Sequence, residues 1–226
     1  ALVSYNPNIK ITKPSDSQLV NIKEGYWTEP TTLWFNTFSP EKGMISVTGI
    51  YSSSNTEQNP VLSKVLQSSA LTLLNINDFK SQLESCYNLG TDVMEGELCK
   101  LWTGIIDIVL HGAHKKTILN QSTYSNIDYH HTLNKIFPGN DETIDNIELQ
   151  CLRDVLTIFK DTNNFTEGLH MLLNCSVKPK WTATIYGQLA GAYYGITDIP
   201  EEWLNNIQAS DQILEIINNY FQKMRT

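Results

Sequence analysis

The stretch TATIYGQLAGAYYG, residues 182–195, decides the fold class of this chain. Alanine and glycine recur in it among the larger Ile185 and Leu189, and Gly195 follows as a residue that ends helices without Cβ strain. Such small side chains let neighbouring helices approach closely. We therefore predict a helix over residues 182–194 that runs through the middle of a helical bundle.

Helical periodicity also dominates on both sides of this stretch. Apolar residues recur at spacings of three and four, which is the pattern of helices that bury one face. Helices are predicted over residues 60–75, 78–87, 94–110, 147–159, 166–174 and 211–220, with a short turn at 200–203. Loops and short helices are expected before residue 60, with a weak strand signal at 45–51. The predicted fold class is all-α, without a linker that would divide it.

Two glycines carry specific expectations. Gly90 follows Asn88 and Leu89 at the end of a predicted helix, so we expect it to adopt a left-handed helix cap. Gly104 lies in the middle of the longest predicted helix, where glycine costs roughly 1 kcal/mol relative to alanine. We therefore expect a neighbouring helix to pass close to Gly104.

Composition and charge exclude several classes of protein. The chain has 226 residues, 41% of them apolar, and 16 basic against 24 acidic side chains give a net charge of −8. This balance disfavours nucleic-acid binding, which needs a basic surface. The sequence also shows neither a long apolar span nor the pattern of a secretory signal. We expect no membrane partner, and we expect a cytoplasmic or other reducing compartment.

The cysteines and histidines do not form a recognisable metal or redox motif. No two of the four cysteines are spaced as a C-x-x-C pair, so we expect buried free thiols at Cys86, Cys99, Cys151 and Cys175. The His130–His131 pair lacks a third ligand at helical spacing, and side chains of adjacent residues are expected to point apart. His111 and His114 follow the longest predicted helix, where a cation stabilises the negative end of the helix dipole. Motifs for nucleotide phosphate loops and nucleophile elbows are absent from the sequence.

Five segments resemble motifs of the ADP-ribosylglycohydrolase family. The most specific is GQLAGAYYG at residues 187–195, followed by IPEEWL at 199–204, which resembles the family's C-terminal signature. Upstream, GYWTEPT at 25–31 resembles the family's Trp-Thr-Asp-Asp-Thr segment. NPVLSK at 59–64 resembles its Asn-Gly-x-x-Met-Arg segment, and ELCKLWTG at 97–104 resembles the helix that follows that segment. The family's opening Gly-Asp-x-x-Gly helix is not recognisable. The resemblance implies a single domain over residues 1–226 with a divergent segment at 1–24.

The resemblance implies a compact orthogonal helical bundle with a cleft for two Mg²⁺ ions. In the family, carboxylates from the Thr-Asp-Asp segment and from an Asp-x-Asp-Thr segment hold the ions, which orient ADP-ribose and help to activate water. Counting back from Gly187 places Lys178 and Lys180 at the two aspartates of the second segment and Trp181 at its threonine. An ammonium group has no lone pair for Mg²⁺. We therefore predict that the Mg²⁺ pair and every other cofactor are absent.

The first metal-binding segment is altered as well. Its two aspartates align with Glu29 and Pro30, while Thr28 and Thr31 keep the family's residue type. Glu29 is expected to pair with Lys178 or Lys180, which would neutralise the cleft without metal. Trp181 is expected to fill the space that substrate uses in the family, and an adenine-stacking platform is the alternative.

These observations lead to three hypotheses about function. The first is a catalytically inactive family member that serves a structural or protein-binding role. The second is a module that recognises ADP-ribose through its lysines, and the third is an active hydrolase with Glu29 as a lone base. The residues of the predicted cleft are Thr28, Glu29, Thr31, Asn59, Lys178, Lys180, Trp181 and Thr182. The predicted partners are ADP-ribose or another protein.

Overall fold

A computed structural model describes residues 59–74 and 78–207, together with positions 211, 214, 215 and 218. Within this part of the chain the secondary structure is helical, without strands, which confirms the all-α class. The helices are α1 (Pro60–Leu74), α2 (Phe79–Tyr87), α3 (Val93–Leu110), α4 (Lys115–Ile118), α5 (Ile147–Asp161), α6 (Phe165–Cys175), α7 (Pro179–Tyr194) and α8 (Glu201–Asn205). Short 3₁₀ helices at Gln121–Tyr124, His131–Ile136 and Ile196–Asp198 connect them.

Helix α7 lies at the centre of the described bundle, as its small residues predict. It packs against α1, α3, α5 and α6, and α3 packs against α1 and α2. The side chains of Ile185, Tyr186 and Leu189 are fully buried. The helix ends at Gly195, whose φ of 79° is the left-handed conformation that favours glycine. Its first residue is Pro179, three residues before the predicted start, because proline suits the first helical position.

Short polar side chains start most of the other helices. Asp78 and Asp92 accept hydrogen bonds from backbone N–H groups in the first turns of α2 and α3, and Asn146 and Asn164 do the same for α5 and α6. Each such cap stabilises its helix by about 1 kcal/mol. These caps explain why the observed helices lie within a few residues of those predicted from periodicity.

The structure corrects both expectations about glycines. The C-cap of α2 is Asn88 in the right-handed region, and Gly90 does not have a positive φ. Glycine is required there because a Cβ would lie 2.3 Å from the backbone nitrogen of Gly96. At Gly104 the close neighbour is the side chain of Ile127, which would lie 2.4 Å from a Cβ at that position. Ile127 belongs to a loop and not to a helix.

Expectations about cysteine and histidine side chains are also corrected in part. All four cysteines are free, but Cys175 is exposed while the other three are buried. The rings of His130 and His131 do not point apart: their centroids are 4.3 Å apart. His114 does not cap the long helix but starts the next one, α4. The described residues contain no cluster of three or more His, Cys, Asp or Glu side chains suited to a metal.

Several predictions lie outside the described residues. These are the loops and weak strand signal before residue 59 and most of the helix at 211–220, of which the four described positions are helical. Among the described helices, none is both long enough and apolar enough to cross a bilayer.

The contact between α6 and α7 gives a direct test of this packing. A Cβ at Gly168 would lie 2.0 Å from the Tyr186 hydroxyl oxygen, whereas one at Gly191 meets nothing within 4 Å. We expect Gly168→Ala to lower the free energy of unfolding by about 1–3 kcal/mol through overpacking. Gly191→Ala is the matched control in a helix interior and should raise the free energy of unfolding by roughly 0.5–1 kcal/mol. Urea denaturation of both variants measures the difference, and equal effects would contradict the packing of α6 against α7.

Candidate functional site

The candidate site is built where α1, α5 and α7 begin. Asn59 precedes α1 and is buried, with 5% of its surface exposed. Its Oδ1 accepts a hydrogen bond from the Leu62 backbone N–H at 2.9 Å, which caps the helix. Its Nδ2 donates to Glu148 Oε1, in the first turn of α5, at 2.8 Å. One side chain thus holds the starts of two helices together.

The start of α7 is fixed by a chain of polar contacts. Lys178 is the N-cap residue, but its side chain does not cap the helix. The Ser176 and Thr182 hydroxyls lie 2.6 Å apart, and the Thr182 hydroxyl donates to the Lys178 carbonyl oxygen at 2.8 Å. The Lys178 backbone N–H donates to the Ser176 hydroxyl oxygen at 3.3 Å. These bonds hold the Lys178 backbone between α6 and α7.

The Cys151 thiol connects the two halves of the site. It lies in the second turn of α5, and burial raises its pKa to about 11. A hydrogen bond with Thr182 and the positive charge of Lys178 oppose this rise, while the negative charges of Asp154 and Glu148 add to it. The thiol therefore stays protonated at neutral pH, and a role as a nucleophile is disfavoured.

Five of the eight predicted cleft residues lie in this region. Asn59, Lys178 and Thr182 contribute the contacts above, and Lys180 and Trp181 lie in the first turn of α7, where Trp181 is 4% exposed. Thr28, Glu29 and Thr31 lie outside the described residues, so the predicted pairing of Glu29 with a lysine stays a prediction.

Sequence reasoning missed three residues of this region: Glu148, Cys151 and Ser176. Glu148 could have been noticed only as an acid in the first turn of a helix, which is a common feature with a simple electrostatic reason. Its contact with Asn59 spans 89 residues of sequence. Such a long-range hydrogen bond has no signature in local spacing.

The residues described here do not fit a Mg²⁺ pair. Mg²⁺ requires near-octahedral oxygen ligands, usually carboxylates. In the alignment that the sequence motifs suggest, the two aspartates of the second metal-binding segment fall on Lys178 and Lys180, at the start of α7. Those positions carry ammonium groups, which cannot coordinate the ion. The neighbouring carboxylate of Glu148 is a single anionic group, whereas a Mg²⁺ pair needs several oxygen ligands.

The hydrogen bond between Asn59 and Glu148 can be tested by replacing the donor group of Asn59 with an acceptor. We expect Asn59→Asp to keep the cap on α1 but to lower stability by about 1–3 kcal/mol, because two carboxylates then face each other. Adding Glu148→Gln should restore stability, since its amide can donate to the new carboxylate. Asn146→Asp, at the cap of α5, is the matched control and should be nearly neutral. A destabilisation that Glu148→Gln does not relieve in urea denaturation would refute the contact.

Comparisons with known proteins agree with this fold. A curated relative, the ADP-ribosylarginine hydrolase Tri1 of Pseudomonas putida (strain GB-1), is 30% identical over 63 residues, which are 28% of this chain and 17% of that protein. A solved structure of an ADP-ribosylglycohydrolase-related protein complex superimposes with a TM-score of 0.61 at 22% identity. That superposition covers 71% of this chain and 59% of the other, so both matches span less than two thirds of the relative.

The family assignment is based on a longer match. The family model described as ADP-ribosylglycohydrolase matches residues 56–226, which is well over half of the chain. The match includes the starts of α1, α5 and α7 and begins after the segment at 25–31. This chain therefore belongs to the ADP-ribosylglycohydrolase family.

Proposed function

We propose that this chain is a catalytically inactive member of its family that serves as a structural or protein-binding module. The observation that carries the proposal is the lysine pair, Lys178 and Lys180, at the start of α7. Two ammonium groups at the positions of two metal-binding aspartates remove oxygen donors and add charge that repels a divalent cation. Without the metal pair, neither substrate orientation nor water activation proceeds by the family's route.

Two further contacts support loss of the metal site. Trp181, at the position that aligns with the family's threonine, is buried as part of the apolar core, so this position offers no side-chain oxygen to a metal. Glu148 accepts a hydrogen bond from Asn59 at 2.8 Å, so this carboxylate joins the starts of α1 and α5. The bundle itself does not depend on the metals, because its helices are joined through apolar core residues.

The proposal also covers the domain organisation, the compartment and the partner of this protein. We place residues 1–226 in one domain, with a divergent segment at 1–24, and we place the protein in the cytoplasm or another reducing compartment. Three buried thiols, Cys86, Cys99 and Cys151, are consistent with a compartment that keeps cysteines reduced. The acidic net charge of −8 argues against a nucleic-acid partner.

One observation favours a second candidate, a module that recognises ADP-ribose without metal. The starts of α1 and α5 are joined by the bond between Asn59 and Glu148, and Cys151 of α5 contacts Thr182 in the first turn of α7. Three positive helix ends therefore lie near one another, beside Lys178. Such ends stabilise phosphate groups, and the pyrophosphate of ADP-ribose carries the matching charge.

The inactive assignment predicts the outcome of a hydrolysis assay. The whole chain, incubated with an ADP-ribosyl-arginine peptide, an ADP-ribosyl-serine peptide or poly-ADP-ribose, should release no ADP-ribose with or without Mg²⁺. Turnover that Glu29→Gln abolishes would contradict the proposal and support the third hypothesis, a hydrolase with Glu29 as its base.

Calorimetric titration of the same chain with ADP-ribose separates the first two candidates. The scaffold hypothesis predicts no binding heat. A dissociation constant below about 100 μM, equivalent to roughly −5.5 kcal/mol, would favour the recognition module. In that case Lys178→Ala with Lys180→Ala should abolish binding, while Lys116→Ala, at an exposed lysine of α4, should leave it unchanged.

A further inference from the structure

A separate pocket of about 640 Å³ lies where α3 ends. It is lined by Asp107 and Ile108 of α3, by His111, Gly112 and Ala113 directly after it, and by Phe79 and Thr117 of neighbouring helices. We call it the Asp107 pocket. It contains a carboxylate, an imidazole and an aromatic ring, and none of the motifs considered in the sequence accounts for it.

The wall of the Asp107 pocket is the C-terminal turn of α3. The Gly112 N–H donates to the Val109 carbonyl and the Ala113 N–H to the Ile108 carbonyl, both at 3.0 Å, and Gly112 has a φ of 79°. These two bonds form a Schellman motif, in which glycine takes the left-handed position. The C-terminal end of a helix carries partial negative charge and favours cations nearby.

Asp107 adds a full negative charge to this helix end. Only 14% of its side chain is exposed. Gln82 of α2 donates a hydrogen bond to the carboxylate, and burial raises the pKa of Asp107. Among the described residues, the titratable base within ion-pair distance is His111, whose Nδ1 lies 3.6 Å from Asp107 Oδ2. That nitrogen is closer to the Asp107 carbonyl oxygen, at 2.8 Å.

No described lysine or arginine forms an ion pair with Asp107. The nearby Lys115 reaches in another direction, donating to the carbonyl oxygens of Phe159 and Thr162 near the end of α5. Burying a carboxylate that no described lysine or arginine neutralises is costly, and a positively charged ligand would relieve that cost. Phe79 also lines the pocket, and aromatic rings attract organic cations.

The Asp107 pocket is distant from the site at the starts of α1, α5 and α7. Lys64, in the second turn of α1, pairs with Glu95 in the first turn of α3 at 2.5 Å. The Thr72 carbonyl, near the end of α1, accepts a bond from Gln82, the partner of Asp107. Helices α1 and α3 therefore run in the same direction. Asp107 lies 12 residues beyond Glu95, or about 18 Å along the axis.

We propose that the Asp107 pocket binds a small organic cation, an alkyl chain that carries a guanidinium or ammonium group. Asp107 is its anionic partner, the carbonyl end of α3 adds favourable potential, and Phe79 with Ile108 packs against the alkyl part. Guanidinium matches a carboxylate with two parallel hydrogen bonds, whereas ammonium acts as a point charge. This site is independent of the proposed function.

The test is a titration of the ¹⁵N-labelled whole chain, followed by amide NMR spectra. The probes are n-butylguanidinium, n-pentylammonium and, as the uncharged control, n-pentanol. We expect saturable shifts of the Gly112 and Ala113 amide signals with a cation and none with n-pentanol. The stronger of the two cations identifies the preferred head group. No saturable shift with either cation, or an equal response to n-pentanol, would overturn the proposal.

A matched pair of variants tests the role of the carboxylate. Asp107→Asn should weaken cation binding at least tenfold. Asp154→Asn is the control, because Asp154 is another half-buried helical aspartate that accepts a bond from a glutamine, Gln150, at 2.7 Å. It should leave binding unchanged. Equal weakening of cation binding by both variants would contradict the role assigned to Asp107. If Asp107→Asn does not fold, the titration of the unmodified chain with the cations and with n-pentanol decides whether the proposal holds.

Discussion

The close contact between α6 and α7 is the constraint on which the rest of this structure depends. Gly168 lacks a side chain where the Tyr186 hydroxyl approaches, and Tyr186 is fully buried. Because α7 also packs against α1, α3 and α5, its position fixes theirs. The short turn between α6 and α7 is held by Ser176 and Thr182, so the same contact fixes where Lys178 and Lys180 stand. Packing in the core and chemistry at the candidate site are thus coupled through one helix.

Local signals in the sequence predict most of the described helices. Apolar periodicity locates five of the six described helices of nine or more residues, small residues locate α7, and Gly195 ends α7 as expected. The errors have physical reasons. Gly90 and Gly104 are glycines because of close approach by Gly96 and Ile127, and sequence spacing does not show which neighbour approaches. The Schellman glycine that ends α3, Gly112, has a visible signal, since it follows a long periodic run.

The candidate site is less accessible to sequence reasoning than the fold. Lys180 and Trp181 lie in the first turn of α7 and Lys178 directly precedes it, and their alignment with the family's metal-binding segment stays a prediction. Glu148 and Cys151 belong to another helix, and only the folded chain brings them beside Asn59 and Thr182. The Asp107 pocket is also formed only in the folded chain, because Phe79, Asp107 and Thr117 come from three different helices. Residue type alone does not distinguish Asp107 from other half-buried helical aspartates.

The candidate site and the Asp107 pocket are formed by opposite kinds of helix end. At the starts of α1, α5 and α7, positive helix ends lie near Lys178. At the end of α3, Asp107 and the helix carbonyls make the local potential negative. The resemblance to the family places anionic metal ligands at the candidate site, where this chain carries Lys178 and Lys180. The reversal of charge, more than the loss of any single ligand, is the basis for proposing that this chain has left the metal-dependent chemistry of its family.

The most direct measurement of this central claim is divalent-ion binding by the whole chain. Mn²⁺, a paramagnetic substitute for Mg²⁺ with the same preference for oxygen ligands, can be titrated and its free fraction read by electron paramagnetic resonance. The account predicts that all added Mn²⁺ stays free at micromolar concentrations, and that Lys178→Asp with Lys180→Asp introduces binding. Two tightly bound Mn²⁺ ions on the unmodified chain would contradict it.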